Sequence, residues 1–256
     1  MPVLPGPCYV ISDAHLGVAP PDTERSLLAF LRVARRDAGS LVVNGDLFDF
    51  WFEWRFVLPR AGFRVLAALA EYADAGIPVV WIAGNHDCWG GDIIRKDAGI
   101  DYRMDGWRGS IAGWMARVDH GDGLREVEDR RYRALRSVLR NPFAMRAFRW
   151  LHPDVGARIA LGSSHASRTY KAKDDGEGLR RVAYRDLAAD PALDLLVLGH
   201  SHVSALERTP TGQVYANAGT WLGDSTHVRI TSERVELNRW TGEVTATPLA
   251  ALSRTQ

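Results

Sequence analysis

Cys8-Tyr9-Val10-Ile11-Ser12-Asp13-Ala14-His15 is the stretch on which the reading of this chain turns. An unbroken apolar run of this length suits a short strand buried on both faces, as strands of parallel sheets are. The run, Cys8 to Ser12, ends at Asp13, with His15 just beyond. The same figure then recurs. Leu41-Val42-Val43 leads to Gly45-Asp46, Val79-Val80-Trp81-Ile82 to Gly84-Asn85-His86-Asp87, and Leu195-Leu196-Val197-Leu198 to Gly199-His200-Ser201-His202. Ile111 to Val118 reads as one further strand, followed by His120-Gly121-Asp122.

Between the strands the period changes. From about Glu24 to Asp37, Leu27, Leu28, Leu31 and Ala34 fall on one helix face, and Gly39 closes the segment. Arg60 to Ala75 reads as a second helix, ended by Gly76. Strand, helix, strand, helix, strand predicts an α/β chain with a largely parallel sheet covered by helices. Beyond it, an arginine-rich helical stretch runs from about Arg125 to Tyr170, Gly178 to Leu187 reads as helix, and Gln213 to Arg239 suggests three more strands. No repeat or low-complexity linker divides the chain. The expectation is one catalytic domain over 1–256 with a helical cap inserted at 124–172.

The 256 residues are 46% hydrophobic and 25% charged, enough to bury a core without cross-links. A net charge of +1 argues against a globally basic nucleic-acid binder. Cys8 and Cys88 lack the spacing of a disulfide framework or a thiolate metal site. No signal peptide or membrane-spanning run is evident, so a cytoplasmic protein with at most peripheral membrane contact is expected.

Each polar motif alone is weak. Asp-x-His can be a capping pair, Gly-Asp a turn, and Gly-His a satisfied core histidine. Jointly they place carboxylate, amide and imidazole groups at the ends of several strands, where open α/β sheets gather their sites. Such a donor set without thiolate suits Mn, Fe or Zn. Two divalent ions roughly 3.5–4 Å apart activate water and neutralise phosphoryl oxygens, which is what hydrolysis at phosphorus needs.

In these motifs, from Asp13 to His202, the chain resembles the calcineurin-like metallophosphoesterases. That resemblance implies a sandwich of two mixed sheets flanked by helices. It also implies one metal on Asp13, His15, Asp46 and His202, and a second on Asp46, Asn85, His120 and His200. His86 would act as proton donor or phosphate clamp at the leaving group, with Asp87 orienting its ring.

Within that superfamily, the run Phe48-Asp49-Phe50-Trp51-Phe52-Glu53-Trp54-Arg55 and the stretch Tyr132 to Pro153 are similar to the UDP-2,3-diacylglucosamine diphosphatases of lipid A synthesis. The resemblance implies a lipid-linked nucleotide sugar as substrate, cleaved to UMP and 2,3-diacylglucosamine 1-phosphate, with Arg55, Asp122, Ser164, Ser167 and Arg168 as candidate substrate contacts. The best-known branch of that family has arginine where this chain keeps His86. Arg130 to Pro153 holds seven arginines and no acidic residue, interleaved with aromatic and aliphatic side chains. By itself that pattern fits a solvated basic face, a lipid-binding cap or a single-stranded nucleic-acid surface, the last not expected here. A phosphoesterase for soluble nucleotides or phosphodiesters, a nuclease and a non-catalytic scaffold are the competing functions.

Overall fold

In the computed structural model, residues 1–126, 128–169, 175–242 and 246–254 are described. Two sheets face each other. In the seven-stranded sheet, β2 (Cys8–Ile11), β3 (Ser40–Asn44), β4 (Val79–Ile82) and β5 (Asp101–Arg103) run parallel. β11 (Thr226–Ile230), β12 (Arg234–Arg239) and β13 (Thr247–Ser253) add antiparallel strands beside β2. The six-stranded sheet follows the order β1-β6-β7-β8-β10-β9. Its members are β1 (Val3–Leu4), β6 (Trp107–Ile111), β7 (Trp114–Val118), β8 (Leu195–Leu198), β9 (Ala205–Arg208) and β10 (Val214–Asn217).

The alternation of side chains across each strand sorts them into separate cores. Val10, Val42 and Val80 of one sheet pack with Val118, Val197 and Ala216 of the other. On the outer face of the larger sheet, Ile11, Leu41, Val43 and Trp81 pack under α1 (Pro21–Ala34) and α2 (Phe63–Asp74). On the outer face of the smaller one, Leu196 and Leu198 pack under Leu179, Ala183 and Leu187 of α6 (Glu177–Ala189). Helices, sheet, sheet and helix form the four layers expected of the resemblance.

One sequence expectation needs correction, and a second gains detail. Ile111 to Val118 is not one strand but a hairpin, with Ile111 paired to Trp114 across Ala112-Gly113. Both turn residues have positive φ, 48° and 90°, as a two-residue hairpin turn requires. Ala112 disguises the turn, because glycine or asparagine is the usual sign of it. Among its described residues, the stretch read as helical from Arg125 to Tyr170 holds three helices: α3 (Arg130–Leu139), α4 (Pro142–Phe148) and α5 (Pro153–Thr169). Asn141 caps α4 through its side-chain oxygen, which accepts from Phe143 N at 2.8 Å, and Pro142 and Pro153 occupy the first helical positions. The short strands β1, β5 and β9 and the exposed edge strand β13 carried no clear pattern in the sequence.

The aromatic run after Asp46 divides between two tasks. Phe48 stacks on Trp51 at 4.6 Å, and both join Trp81 in the main core. Phe50, Phe52 and Trp54 point the other way and pack with Phe148 of α4. The Trp54 and Trp89 indoles then donate to the carbonyls of Leu151 at 3.1 Å and Leu139 at 2.5 Å. The run therefore seats α3–α5 over the sandwich.

Candidate metal centre

β2, β3 and β4 are parallel to one another, and β7 is parallel to β8, so their C-terminal ends meet along one edge of the sandwich. Each functional loop leaves one of those ends. Asp13, His15, Asp46, His200 and His202 all have positive φ, between 45° and 64°. Non-glycine residues in that region cost about 1–3 kcal/mol each and persist only where surrounding structure enforces them. Glycines make the close approach possible. A Cβ on Gly84 would overlap the Asp46 carboxylate, and one on Gly45 would overlap the His120 ring.

Both central carboxylates are pinned through one oxygen and open at the other. Asp13 Oδ2 accepts from His200 N at 2.9 Å and from the Ser12 hydroxyl, while Asp13 Oδ1 lies 3.1 Å from His202 Nε2. Asp46 Oδ1 accepts from His86 N at 2.9 Å, while Oδ2 lies 3.3 Å from His120 Nε2 and 3.8 Å from His15 Nε2. The ligand atoms of Asp13, His15 and His202 fall within 4.8 Å of one another, as do those of Asp46, His120 and His200. Asp46 touches both groups.

Asn85 adds a side-chain oxygen. Asp13 Oδ1, Asp46 Oδ2, Asn85 Oδ1 and His120 Nε2 are all buried without a hydrogen-bond partner. Buried polar atoms are costly when unpaired, and four of them converging on one edge fit cations that would satisfy them.

Supporting contacts set the tautomers. His120 Nδ1 donates to the Asn44 carbonyl at 2.8 Å, and His15 Nδ1 bonds Asp49 Oδ1 at 3.2 Å, so both rings turn Nε2 toward Asp46. Burial disfavours the charged form of Asp46, but the charges of His120, His86 and His15 outweigh it and hold the carboxyl well below its usual range. Burial likewise opposes charge on His120, yet the Asp46 carboxylate pushes that imidazole up to about 10. His15 moves the other way, lowered by burial despite Asp49. The edge is thus a fixed concentration of negative charge that favours a proton on His120, or a cation among the ligands.

Asp87 does not orient His86. Its buried carboxylate accepts from Gly84 N and Leu47 N, both at 2.8 Å, and so clamps two ligand loops together. Burial, reinforced by Asp46, raises its pKa to about 7. The partner of His86 is Asp49, whose carbonyl accepts from His86 Nδ1 at 3.1 Å and whose carboxylate lies 3.6 Å from it. Asp49 thereby touches both His15 and His86, a role the sequence reading missed. Its spacing, three residues after Asp46 within the same loop, was the available signal.

The other expected contacts separate. Asp122 is buried and accepts from the Tyr132 hydroxyl at 2.7 Å, with Arg136 and Arg140 3.5 and 3.6 Å away. It ties α3 to the His120 loop and is committed to that network, contrary to the substrate contact expected of it. Arg55 is exposed over the Phe56 ring and makes no contact with the cluster. Ser164, Ser167 and Arg168 lie on α5, where their side chains fall outside the described residues.

A cleft of about 330 Å³ opens from the cluster. Asn85 and His86 form its polar end. Phe50, Trp89, Leu135, Leu139, Phe148 and Ile159 supply most of its walls, between the sandwich and α3–α5.

The family model described as calcineurin-like phosphoesterase matches residues 6–204. A UDP-2,3-diacylglucosamine hydrolase of Porphyromonas gingivalis is 33% identical over 216 residues, covering 76% of this chain and 82% of that protein. One from Xanthomonas oryzae pv. oryzae is 29% identical over 244 residues, covering 90% and 97%. Among solved structures, a Vps29 single mutant from Entamoeba histolytica aligns with a TM-score of 0.48 at 13% identity, covering 97% of this chain and 99% of that one.

Proposed function

Because this chain belongs to the calcineurin-like phosphoesterases, and is a metallophosphoesterase with a di-metal site, we propose that it hydrolyses the diphosphate of UDP-2,3-diacylglucosamine, giving UMP and 2,3-diacylglucosamine 1-phosphate. The observation that carries this reading is the cleft: a polar end at Asn85 and His86 continuing into apolar walls. A phosphate at the polar end would leave an acyl chain beside Phe50, Leu135 and Phe148, where burial of each methylene contributes about 0.8 kcal/mol. A soluble nucleotide has no acyl chain to bury there. The curated relatives carry the same substrate in their names.

Asp13, His15, Asp46 and His202 would hold one ion, and Asp46, Asn85, His120 and His200 the other, Mn being favoured over Fe or Zn. When bound, the pair would neutralise charge on the phosphoryl oxygens and supply a deprotonated water at neutral pH. The chain's own side chains do the rest. Asp13 and Asp46, each locked through one oxygen, keep the other aimed at the centre. His86 lines the cleft with its ring set by Asp49, in place to give a proton to the departing lipid phosphate or to clamp an oxygen of it. The aromatic wall excludes water from the leaving-group side.

No helix among the described residues is long and apolar enough to cross a membrane. On this reading the lipid substrate would be met by peripheral contact at the cytoplasmic face. Purified protein incubated with Mn and the authentic substrate is expected to release UMP and the lipid 1-phosphate. Turnover no faster than that of Asp46→Ala would overturn the reading.

A further inference from the structure

Beyond the last ligand motif the chain crosses from one sheet to the other. β10 belongs to the six-stranded sheet and β11 to the seven-stranded one, and the segment joining them bonds two of the ligand loops. Asn217, at the end of β10, is fully buried and pairs in register with Leu198, one residue short of Gly199. Its Nδ2 donates to Gly199 O at 2.9 Å and to Ser201 Oγ at 3.2 Å. Ser201 Oγ also accepts from Val203 N at 3.3 Å, so bonds to one hydroxyl span His202. Gly219 N donates back to Asn217 Oδ1 at 2.9 Å, and Gly219 turns the chain with φ 74°, where a Cβ would overlap Thr226 Oγ1. The Thr220 hydroxyl then donates to Asp13 O at 2.8 Å, and Trp221 N donates to the same oxygen at 3.2 Å. Trp221 is buried against Phe30 of α1, with ring centroids 5.1 Å apart.

Asp13, His200 and His202 all have left-handed backbones, which a chain keeps only where surrounding structure enforces them. The bonds from Asn217, Thr220 and Trp221 enforce them, because they fix the peptide after Asp13 and the turn through His200. They engage backbone carbonyls and the Ser201 hydroxyl. They therefore set where the ligand side chains start without competing with a cation for the ligand atoms.

We infer that Asn217, Thr220 and Trp221 are positioning residues for one ion of the pair, the one assigned to Asp13, His15, Asp46 and His202. The inference rests on the di-metal reading and is independent of which phosphoester is cleaved. Two of that ion's four ligands, Asp13 and His202, lie in loops that this segment bonds. Of the other ion's ligands, His200 alone shares those loops. His120 is braced by Asn44 O, and the Asn85 loop by Asp87 on Gly84 N. Loosening the segment therefore weakens one ion well before the other.

The test strips full-length protein of metal and titrates it with Mn, reading free Mn by electron paramagnetic resonance. Wild type should take up two ions. Thr220→Val keeps the shape but loses the hydroxyl. It should weaken one binding step by about 10-fold or more and the other by about 3-fold or less. Thr220→Ser should restore both steps, and Asn217→Leu should weaken the same step as Thr220→Val. In a His15→Ala background, where that ion has already lost a ligand, Thr220→Val should add little. Val235→Ala, in the core between the sheets on β12, is the control for general destabilisation. It should unfold at lower urea yet bind both ions as wild type does. Wild-type binding at both steps in Thr220→Val, equal loss at both, or the same loss in Val235→Ala would overturn the positioning role. Fewer than two ions on wild type would overturn the di-metal reading, and the inference with it.

Discussion

The strand-end cluster and the helices above it are built on opposite principles. At the cluster, Asp13, His15 and Asp46 are fully buried, left-handed in backbone and tied by hydrogen bonds that leave one donor atom each for a cation. The α3–α5 segment lies largely in solvent, held by Phe148 on Phe50, Phe52 and Trp54 and by polar contacts such as Trp54 to Leu151, Trp89 to Leu139, Tyr132 to Asp122 and Arg140 to Met104 O at 2.6 Å. The difference teaches where reaction and selectivity reside. On the proposed function, chemistry at phosphorus depends on the rigid edge and the choice of phosphoester on α3–α5.

Substitutions in each region should separate accordingly. Asp46→Ala removes the carboxylate common to both metal groups. Activity on every substrate should fall by more than about 100-fold, beyond what loss of a supporting contact costs. Metal content by mass spectrometry should drop in parallel, and full metal loading in this variant would contradict the shared-ligand role.

Asp49→Asn keeps the shape and the backbone bond to His86, but weakens the side-chain bond to His15 and removes the charge beside His86. Metal affinity or turnover should fall about 10–100-fold, as for other outer partners of ligand histidines. Equal loss with bis(p-nitrophenyl) phosphate and with the lipid nucleotide would place the effect at the edge and not at the cleft.

His227 probes the sandwich on which the edge rests. It is 1% exposed between Tyr9 and Phe30, and burial, with the nearby Arg229, pushes its pKa down from 6.5 to about 3. The folded state therefore holds a neutral ring while the unfolded chain takes up a proton below 6.5. This contribution to stability is present in full above 6.5 and lost as pH falls toward 3, by about 1.4 kcal/mol per pH unit. Urea titrations of wild type and His227→Phe across that range should diverge, the variant losing less. Parallel curves would contradict the burial of a neutral imidazole.

Tyr132→Phe removes one tether of α3, worth about 1 kcal/mol or somewhat more because Asp122 is ionisable and buried. KM for the lipid nucleotide should rise several-fold with little change in turnover of bis(p-nitrophenyl) phosphate. An equal loss on both substrates would erase the distinction between the two regions.

The same contrast explains what the sequence disclosed. Buried parallel strands repeat an unbroken apolar run, and a run that stops at Asp13, Asp46 or Asn85 leaves both the fold and the clustered donors legible. Asp87 was misjudged because neighbours in sequence suggest neighbours in space, whereas the turn after Gly84 points the Asp87 carboxylate inward to Leu47 N; Asp49 was given no role. Asp122 was expected as a substrate contact from the resemblance, but a tyrosine ten residues on occupies it. The hairpin at Ala112-Gly113 was hidden by an alanine in a backbone conformation that usually calls for asparagine or glycine. Contacts made by α3–α5 depend on how three helices lean together, which periodicity does not encode.

Steady-state turnover of UDP-2,3-diacylglucosamine against its deacylated counterpart, with Mn and a single preparation, tests the central claim most directly. A rigid di-metal edge beneath an acyl-binding cleft predicts that kcat/KM for the acylated substrate exceeds that for the deacylated one by at least about 100-fold, about 2.7 kcal/mol, no more than a few buried methylenes supply. Equal kcat/KM for the two would contradict it, and would leave the edge a phosphoesterase whose cleft does not select lipid.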